Sequence, residues 1–318
     1  MSLKLFFTSL TASFSRKETI KSTSRSHSSQ TSAYLAKAGA DDFLGRFREI
    51  ISDPLNLAIR RDPRAGFVEG GYIYLHNGLK VPLSGPDAYY GEFSSILSIN
   101  RGVHEPLEEF VFQETLKCLP DAPRMLELGA YWGHYSMWLK KSFSKAHVCL
   151  VEAEGVNLNA GKNNFKVNGL DGEFIQAFVG LNQFEVDSYL AERGIAKINI
   201  LHSDVQGYEL EMLDGSSNAL RDNKIDYLFV STHSQKLHAD VIERLLECNY
   251  RVEIVSDFDH ETTSFDGFIF ASSPTVAPVF KGFKPMKRIQ IAEALPAHMV
   301  AYLTEVLSVM GNDKRNGE

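Results

Sequence analysis

The sequence predicts a doubly wound α/β chain, a mostly parallel seven-stranded sheet with a C-terminal antiparallel hairpin, preceded by a helix and hairpin extension and followed by a C-terminal helix. Three observations predict it. From Arg124 onward, short apolar runs alternate with helical segments, the pattern of a parallel sheet covered by helices. One run, Met125-Leu126-Glu127-Leu128, ends in Gly129 and feeds a helix. The last two runs, Val252–Val255 and Gly267–Phe270, are joined by a segment too short for a crossover helix and are expected to pair antiparallel.

The elements follow in order. Residues 1–33 are rich in Ser and Thr, with Arg16, Lys17, Lys21 and Arg25 against one acid, Glu18, and read as a disordered leader. The same composition suits an organelle transit peptide, the alternative to a cytoplasmic location. Residues 34–101 form the extension. Phe43, Phe47, Ile50 and Ile51 give helical spacing over Asp41–Arg60, limited by Pro54. Gly71–Leu75 and Leu79–Leu83 flank His76-Asn77-Gly78, a hairpin signal. A helix begins at Glu105-Pro106, with Leu107, Phe110, Val111 and Leu116 on its packing face and acids in its first turn.

Residues 102–273 form the sheet domain. Its parallel strands are expected at Met125–Leu128, His147–Val151, Phe174–Val179, Ile198–Leu201 and Tyr227–Val230. The helices between them fall at Tyr135–Lys141, Val156–Val167, Phe184–Arg193, Glu209–Leu220 and Leu237–Cys248. The last carries Leu237, Val241, Leu245 and Leu246 as its stripe. Residues 274–318 follow, with an amphipathic helix over Ile289–Met310 interrupted at Pro296.

Composition narrows the function. Of the 318 residues 44% are hydrophobic, enough for a sizeable core. A net charge of -7 repels phosphate backbones, which argues against nucleic acid as a partner. The three cysteines, Cys118, Cys149 and Cys248, form no CxxC pair and suit a reduced compartment. No run of 18 apolar residues is present, so no membrane span is expected.

The chemistry is concentrated at strand ends. Gly129 allows a sharp turn and Gly133 lets the helix start approach a ligand. The spacing Gly-x-x-x-Gly differs from the pyrophosphate-binding Gly-x-Gly-x-x-Gly and points to a cofactor without phosphates, of which S-adenosylmethionine is the common one. Glu152 ends the next strand, where a carboxylate can accept hydrogen bonds from both ribose hydroxyls. Glu127 is expected at the amino-acid end of the cofactor. Asp204 follows the fourth parallel strand and suits acceptor orientation, cation binding or a helix cap. His233 follows the fifth, placed to take a proton or to serve as a structural residue.

In this order the segments resemble the FkbM family of class I methyltransferases over Gly102–Ser272. The resemblance rests on the glycine turn, Glu152, Asn164–Leu170, Val186-Asp187-Ser188-Tyr189-Leu190, the run Asp204-Val205-Gln206-Gly207-Tyr208-Glu209, and His233. It implies a Rossmann-like fold with S-adenosylmethionine bound by Glu127, Gly129, Ala130, Tyr131, Gly133, Glu152, Ala153 and Ala177. It further implies transfer of a methyl group to a hydroxyl of a small molecule or glycan, with His233 as base and Asp204 as orienting group, and no metal. Three positions depart from the family: His202 replaces a lysine, Gln206 a glutamate, and Ser231 an acid. Their loss of carboxylates predicts a less negative acceptor pocket, completed by the hairpin at Asn77, the Tyr89-Tyr90-Gly91-Glu92 loop and the terminal helix. The rival readings are a silent cofactor-binding protein, a nicotinamide oxidoreductase, for which a phosphate-binding turn is missing, and a metal-dependent hydrolase. The last would draw on Asp204, His202, His233, His238, Asp257, Asp259 and His260.

Overall fold

A computed structural model describes residues 37–39 and 42–310; the leader expected over residues 1–33 lies outside the described residues. Helix α1 (Phe43–Ser52) starts at Asp42, whose side chain accepts the Gly45 N–H at 2.9 Å. It stops before Pro54, which opens a 3₁₀ turn over Pro54–Leu57. Strands β1 (Val68–Glu69), β2 (Tyr72–Tyr74) and β3 (Lys80–Pro82) form a small antiparallel sheet, β2 and β3 being the expected hairpin. Helices α2 (Ser95–Ile99) and α3 (Pro106–Leu116) lead to the main sheet. Every residue of α3 is buried, not only the expected face, because the extension covers its other side.

The main sheet has seven strands in the order β6-β5-β4-β7-β8-β10-β9. They are β4 (Arg124–Leu128), β5 (His147–Glu152), β6 (Glu173–Gln176), β7 (Ile198–Ser203), β8 (Ile225–Thr232), β9 (Arg251–Ser256) and β10 (Gly267–Ser272). The first five in sequence run parallel and β10 enters antiparallel between β8 and β9, as the short connection required. This is the class I methyltransferase arrangement. Strand β4 pairs with both β5 and β7, so the chain reverses its direction of growth there, the switch point at which such sheets bind ligands. Parallel strands covered on both faces read as continuous apolar runs, and Leu126, Leu128, Val151, Leu201, Leu228 and Val230 all lie in the core.

Helices α4 (His134–Ser142), α5 (Gly155–Val167), α6 (Val186–Glu192) and α9 (Gln235–Glu247) fall where expected. The helix expected over Glu209–Leu220 divides into α7 (Glu209–Asp214) and α8 (Ser217–Arg221). Asp187 of α6 causes the break by accepting the Asn218 and Ala219 N–H groups at 2.8 and 2.7 Å, which caps α8 from outside. On α9, Val241 and Leu245 are buried while Leu246 is 55% exposed, about a quarter-turn off the stripe. Strand β6 ends at Gln176, short of the expected Val179, so Ala177 lies just past it.

Helices α10 (Arg288–Glu293) and α11 (Pro296–Met310) close the described chain, Pro296 taking the first position of α11. Both extensions pack on the sheet unit. The Thr263 hydroxyl donates to Asp53 Oδ2 at 2.5 Å, and Lys117 Nζ donates to the Met310 carbonyl at 3.1 Å. Among the described residues no helix is long and apolar enough to cross a membrane.

Candidate active site

The glycine turn sits against the neighbouring strand end. Gly129 has φ +70°, and a Cβ there would lie 1.7 Å from the Asp204 carbonyl oxygen, so only glycine fits. Its N–H and that of Ala130 both donate to the Val151 carbonyl, at 2.9 and 3.1 Å. Tyr131 adopts φ +43°, a strained value for a side-chain residue. Its N–H is held by Glu152 Oε2 at 2.9 Å. Its hydroxyl donates to the Ala88 carbonyl and accepts the Tyr90 N–H, each at 3.0 Å, tying the turn to the tyrosine loop. Gly133, at φ +76°, caps α4 and leaves room for Leu150 and Phe165.

Glu152 is fixed at the end of β5. Its second oxygen accepts the Glu154 N–H at 2.9 Å. Ala177 N–H donates to the Glu152 main-chain carbonyl at 3.2 Å, and Gln176 Nε2 to that of Ala153 at the same distance. Beside this edge lies a cavity of about 380 Å3. Of the expected cofactor residues, Glu127, Gly129, Ala130 and Tyr131 line it, whereas Gly133, Glu152, Ala153 and Ala177 lie outside its lining. Glu127 is almost wholly buried, accepts the Ser136 N–H at 3.0 Å, and has its carboxyl raised, chiefly by burial. Tyr89 and Tyr90 line the cavity as expected, but Asn77 and α11 do not; Phe43 and Arg46 of α1 take that place.

Asp204 and His233 are adjacent, as the strand ends implied. His233 Nε2 lies 3.1 Å from Asp204 Oδ1 and 3.5 Å from Asp266 Oδ1, and its Nδ1 lies 2.7 Å from Glu209 Oε1. Burial opposes its charge, but the hydrogen bonds to Asp204 and Glu209 and the charge of Asp266 prevail and push it up to about 10. His233 is therefore a cation at neutral pH. Burial, followed by the charge of Asp204, pushes Asp266 up to about 7. Asp266 precedes β10 in a loop, and no motif marks it.

Helix α3 supplies further acids that the sequence did not reveal as site residues. Glu108 Oε1 lies 2.6 Å from His202 Nε2, and the Ser231 hydroxyl lies 3.4 Å from Glu108 Oε2. Burial raises Glu108 well above its ordinary value and lowers His202, so the carboxylic acid donates to a neutral imidazole. Glu105, which accepts the Tyr135 hydroxyl at 3.0 Å, is pushed up to about 8 by burial. Two of the three departures, His202 and Ser231, face a carboxyl group that comes from α3.

The other residues considered for a metal do not converge on Asp204. His238 pairs with the Thr232 hydroxyl at 2.8 Å, and Asp257 accepts the His260 and Glu261 N–H groups at 2.7 and 3.0 Å. Among the described residues, ligand atoms close enough to share an ion occur in two groups, Asp204-His233-Asp266 and His76-Glu109-His134.

Residues 179–252 match the methyltransferase FkbM domain. That match covers β7 and β8, Asp204 and His233. No curated protein matches the chain significantly. Similar solved structures include a precorrin-6y C5,15-methyltransferase from Geobacter metallireducens, 15% identical, covering 52% of this chain and 89% of that one, with a TM-score of 0.39. TrmK from M. capricolum bound to S-adenosyl-homocysteine is 14% identical over 66% of this chain and 88% of that one, with a TM-score of 0.37. A Pyrococcus abyssi tRNA (uracil-54, C5)-methyltransferase, also bound to S-adenosyl-L-homocysteine, is 12% identical over 63% of this chain and 43% of that one, with a TM-score of 0.40.

Proposed function

We propose that this protein is an S-adenosylmethionine-dependent O-methyltransferase acting on a hydroxyl of a small molecule or sugar. The observation that carries the reading is the Asp204-His233-Asp266 cluster beside the glycine turn, with Asp204 and Asp266 lining the cavity. The cavity volume of about 380 Å3 falls in the range of small-ligand sites. The chain's residues fit the cofactor. Gly129 is pressed against the Asp204 carbonyl, which fixes the turn at the cavity wall, Glu127 presents a buried carboxyl group, and Glu152 is held rigid by two main-chain N–H groups. Glu152 would receive the ribose hydroxyls and Glu127 the ammonium.

When bound, the cofactor would supply a sulfonium methyl whose leaving group is a neutral thioether. Asp204 orients the acceptor hydroxyl. Asp266, which titrates near neutrality, takes the hydroxyl proton as the new oxygen–carbon bond forms. His233, already protonated, holds Asp204 and Asp266 together and keeps the cluster's charge balanced. The base is thus assigned to Asp266, with His233 positioning it.

The test is calorimetric binding of S-adenosyl-homocysteine followed by detection of that product during incubation with S-adenosylmethionine and a panel of hydroxylated acceptors. Binding with turnover on a hydroxylated acceptor supports the reading. Binding without turnover on any acceptor identifies a silent cofactor-binding protein, and activity only with added divalent ions and without S-adenosylmethionine identifies a hydrolase.

A further inference from the structure

A second group of side chains lies deeper, outside the proposed reaction. His76 follows β2 in the hairpin turn, Glu109 is on α3, and His134 opens α4 directly after Gly133. All three are at most 1% exposed. The fold brings them together by a close main-chain approach. Gly102, at φ +82°, lies so near the hairpin that a Cβ would come within 2.2 Å of the His76 nitrogen. The His76 N–H in turn donates to the Gly102 carbonyl at 3.2 Å.

The polar atoms point inward without satisfying one another. Glu109 Oε1 accepts the His104 and Glu105 N–H groups, at 2.9 and 3.2 Å, and lies 2.6 Å from His104 Nδ1. Glu109 Oε2 has no hydrogen-bond partner, although His76 Nε2 is only 3.0 Å away. Neither ring nitrogen of His134 has a partner, and its Nε2 lies 4.0 Å from Glu109 Oε1. Leaving a buried polar group unpaired is costly, because it loses its water partners without gaining new ones. A 3.0 Å separation that fails as a hydrogen bond is instead close to the spacing of two donors on one ion, roughly 3.3 Å for tetrahedral bonds near 2.0 Å. The ligand atoms of all three residues lie within 4.8 Å of one another.

We propose that His76, Glu109 and His134 bind a divalent transition-metal ion, zinc by donor set, as a structural clasp. Two imidazoles and one carboxylate are zinc or iron(II) donors rather than magnesium donors. The ion joins the hairpin turn, α3 and the helix that follows the glycine turn, in addition to the Tyr135–Glu105 hydrogen bond between the two helices. Trp132, stacked on the His134 ring at 5.2 Å, and Trp138, 4.4 Å from the His76 ring, close the surroundings against water. Its role is to hold the cofactor turn in register, and it does not take part in methyl transfer.

The experiment is metal analysis of the purified full chain, with X-ray absorption at the zinc edge. The expected result is close to one zinc per chain with two imidazoles in a nitrogen and oxygen shell near about 2.0 Å. Metal falls to background in His76→Ala and in His134→Ala and is retained in Asp266→Asn. Stripping the ion from the parent protein lowers the melting temperature, and zinc restores it. A parent protein that carries no metal, takes up neither zinc nor cobalt and melts at the same temperature with either overturns the proposal. So does an absorption spectrum with a single imidazole, or metal lost in Asp266→Asn but kept in His76→Ala, since each places the ion at the acceptor cluster.

Discussion

Glu108 of α3 and His202 of β7, far apart in the chain, meet with 2.6 Å between carboxyl oxygen and ring nitrogen inside the core. The pair is neutral, an acid donating to an imidazole. Glu108→Gln, which keeps a donor of the same shape, should leave the melting temperature nearly unchanged. Glu108→Ala should destabilise by about 2–4 kcal/mol, because it opens a cavity and strands His202. Thermal denaturation of both variants at neutral pH checks this.

Gly129→Ala should disable the cofactor turn. The added methyl meets a main-chain oxygen, not a mobile side chain, at a φ that only glycine adopts freely. The cost should be about 3 kcal/mol or more, read as a lower melting temperature together with loss of S-adenosyl-homocysteine binding in a calorimeter.

Glu152→Ala should weaken S-adenosyl-homocysteine by about 1.5–3 kcal/mol, the range for hydrogen bonds to a charged group. The same change should lower the melting temperature of the free protein, since the Tyr131 and Glu154 N–H groups both lose their acceptor. Unchanged affinity beside a lowered melting temperature would leave Glu152 a purely structural role.

The acceptor cluster should show in the pH profile. Because Asp266 must be ionised to take a proton, turnover should rise with pH through about 7 in the parent protein. In Asp266→Asn that limb should vanish, with turnover lower by roughly a hundredfold or more.

Stability should move the opposite way. For Asp266, raised from 3.8 to about 7, the neutral form stabilises the fold fully below the lower value and the gain is lost as pH rises through the upper. For His233, raised from 6.5 to about 10, the stabilisation is complete below about 6.5 and disappears as pH passes about 10. Melting temperatures should therefore fall from about pH 4 to about pH 10, and His233→Ala should flatten the upper part of that decline.

The sequence by itself determined the sheet, because parallel strands buried on both faces must be apolar throughout and a short connection cannot make a crossover. It also marked Gly129, whose φ excludes other residues, and the strand-end positions of Glu152, Asp204 and His233, since strand ends share one edge whatever the side chains do. Asp187 stood in a family pattern, but its work as the external cap of α8 became visible only in space. The acids of α3 stood in the sequence only as first-turn acids at the helix's positive end, because periodicity reports one buried face and is silent about what covers the opposite one. The tertiary structure wrapped the extension over that side, burying Glu108 and Glu109 and half-burying Glu105. It also decided the meeting of Glu108 with His202, of Asp266 with His233, and of His76 with Glu109 and His134. Those contacts join residues with no common period or spacing, so only the packing that desolvates them gives them their charge states and their chemistry.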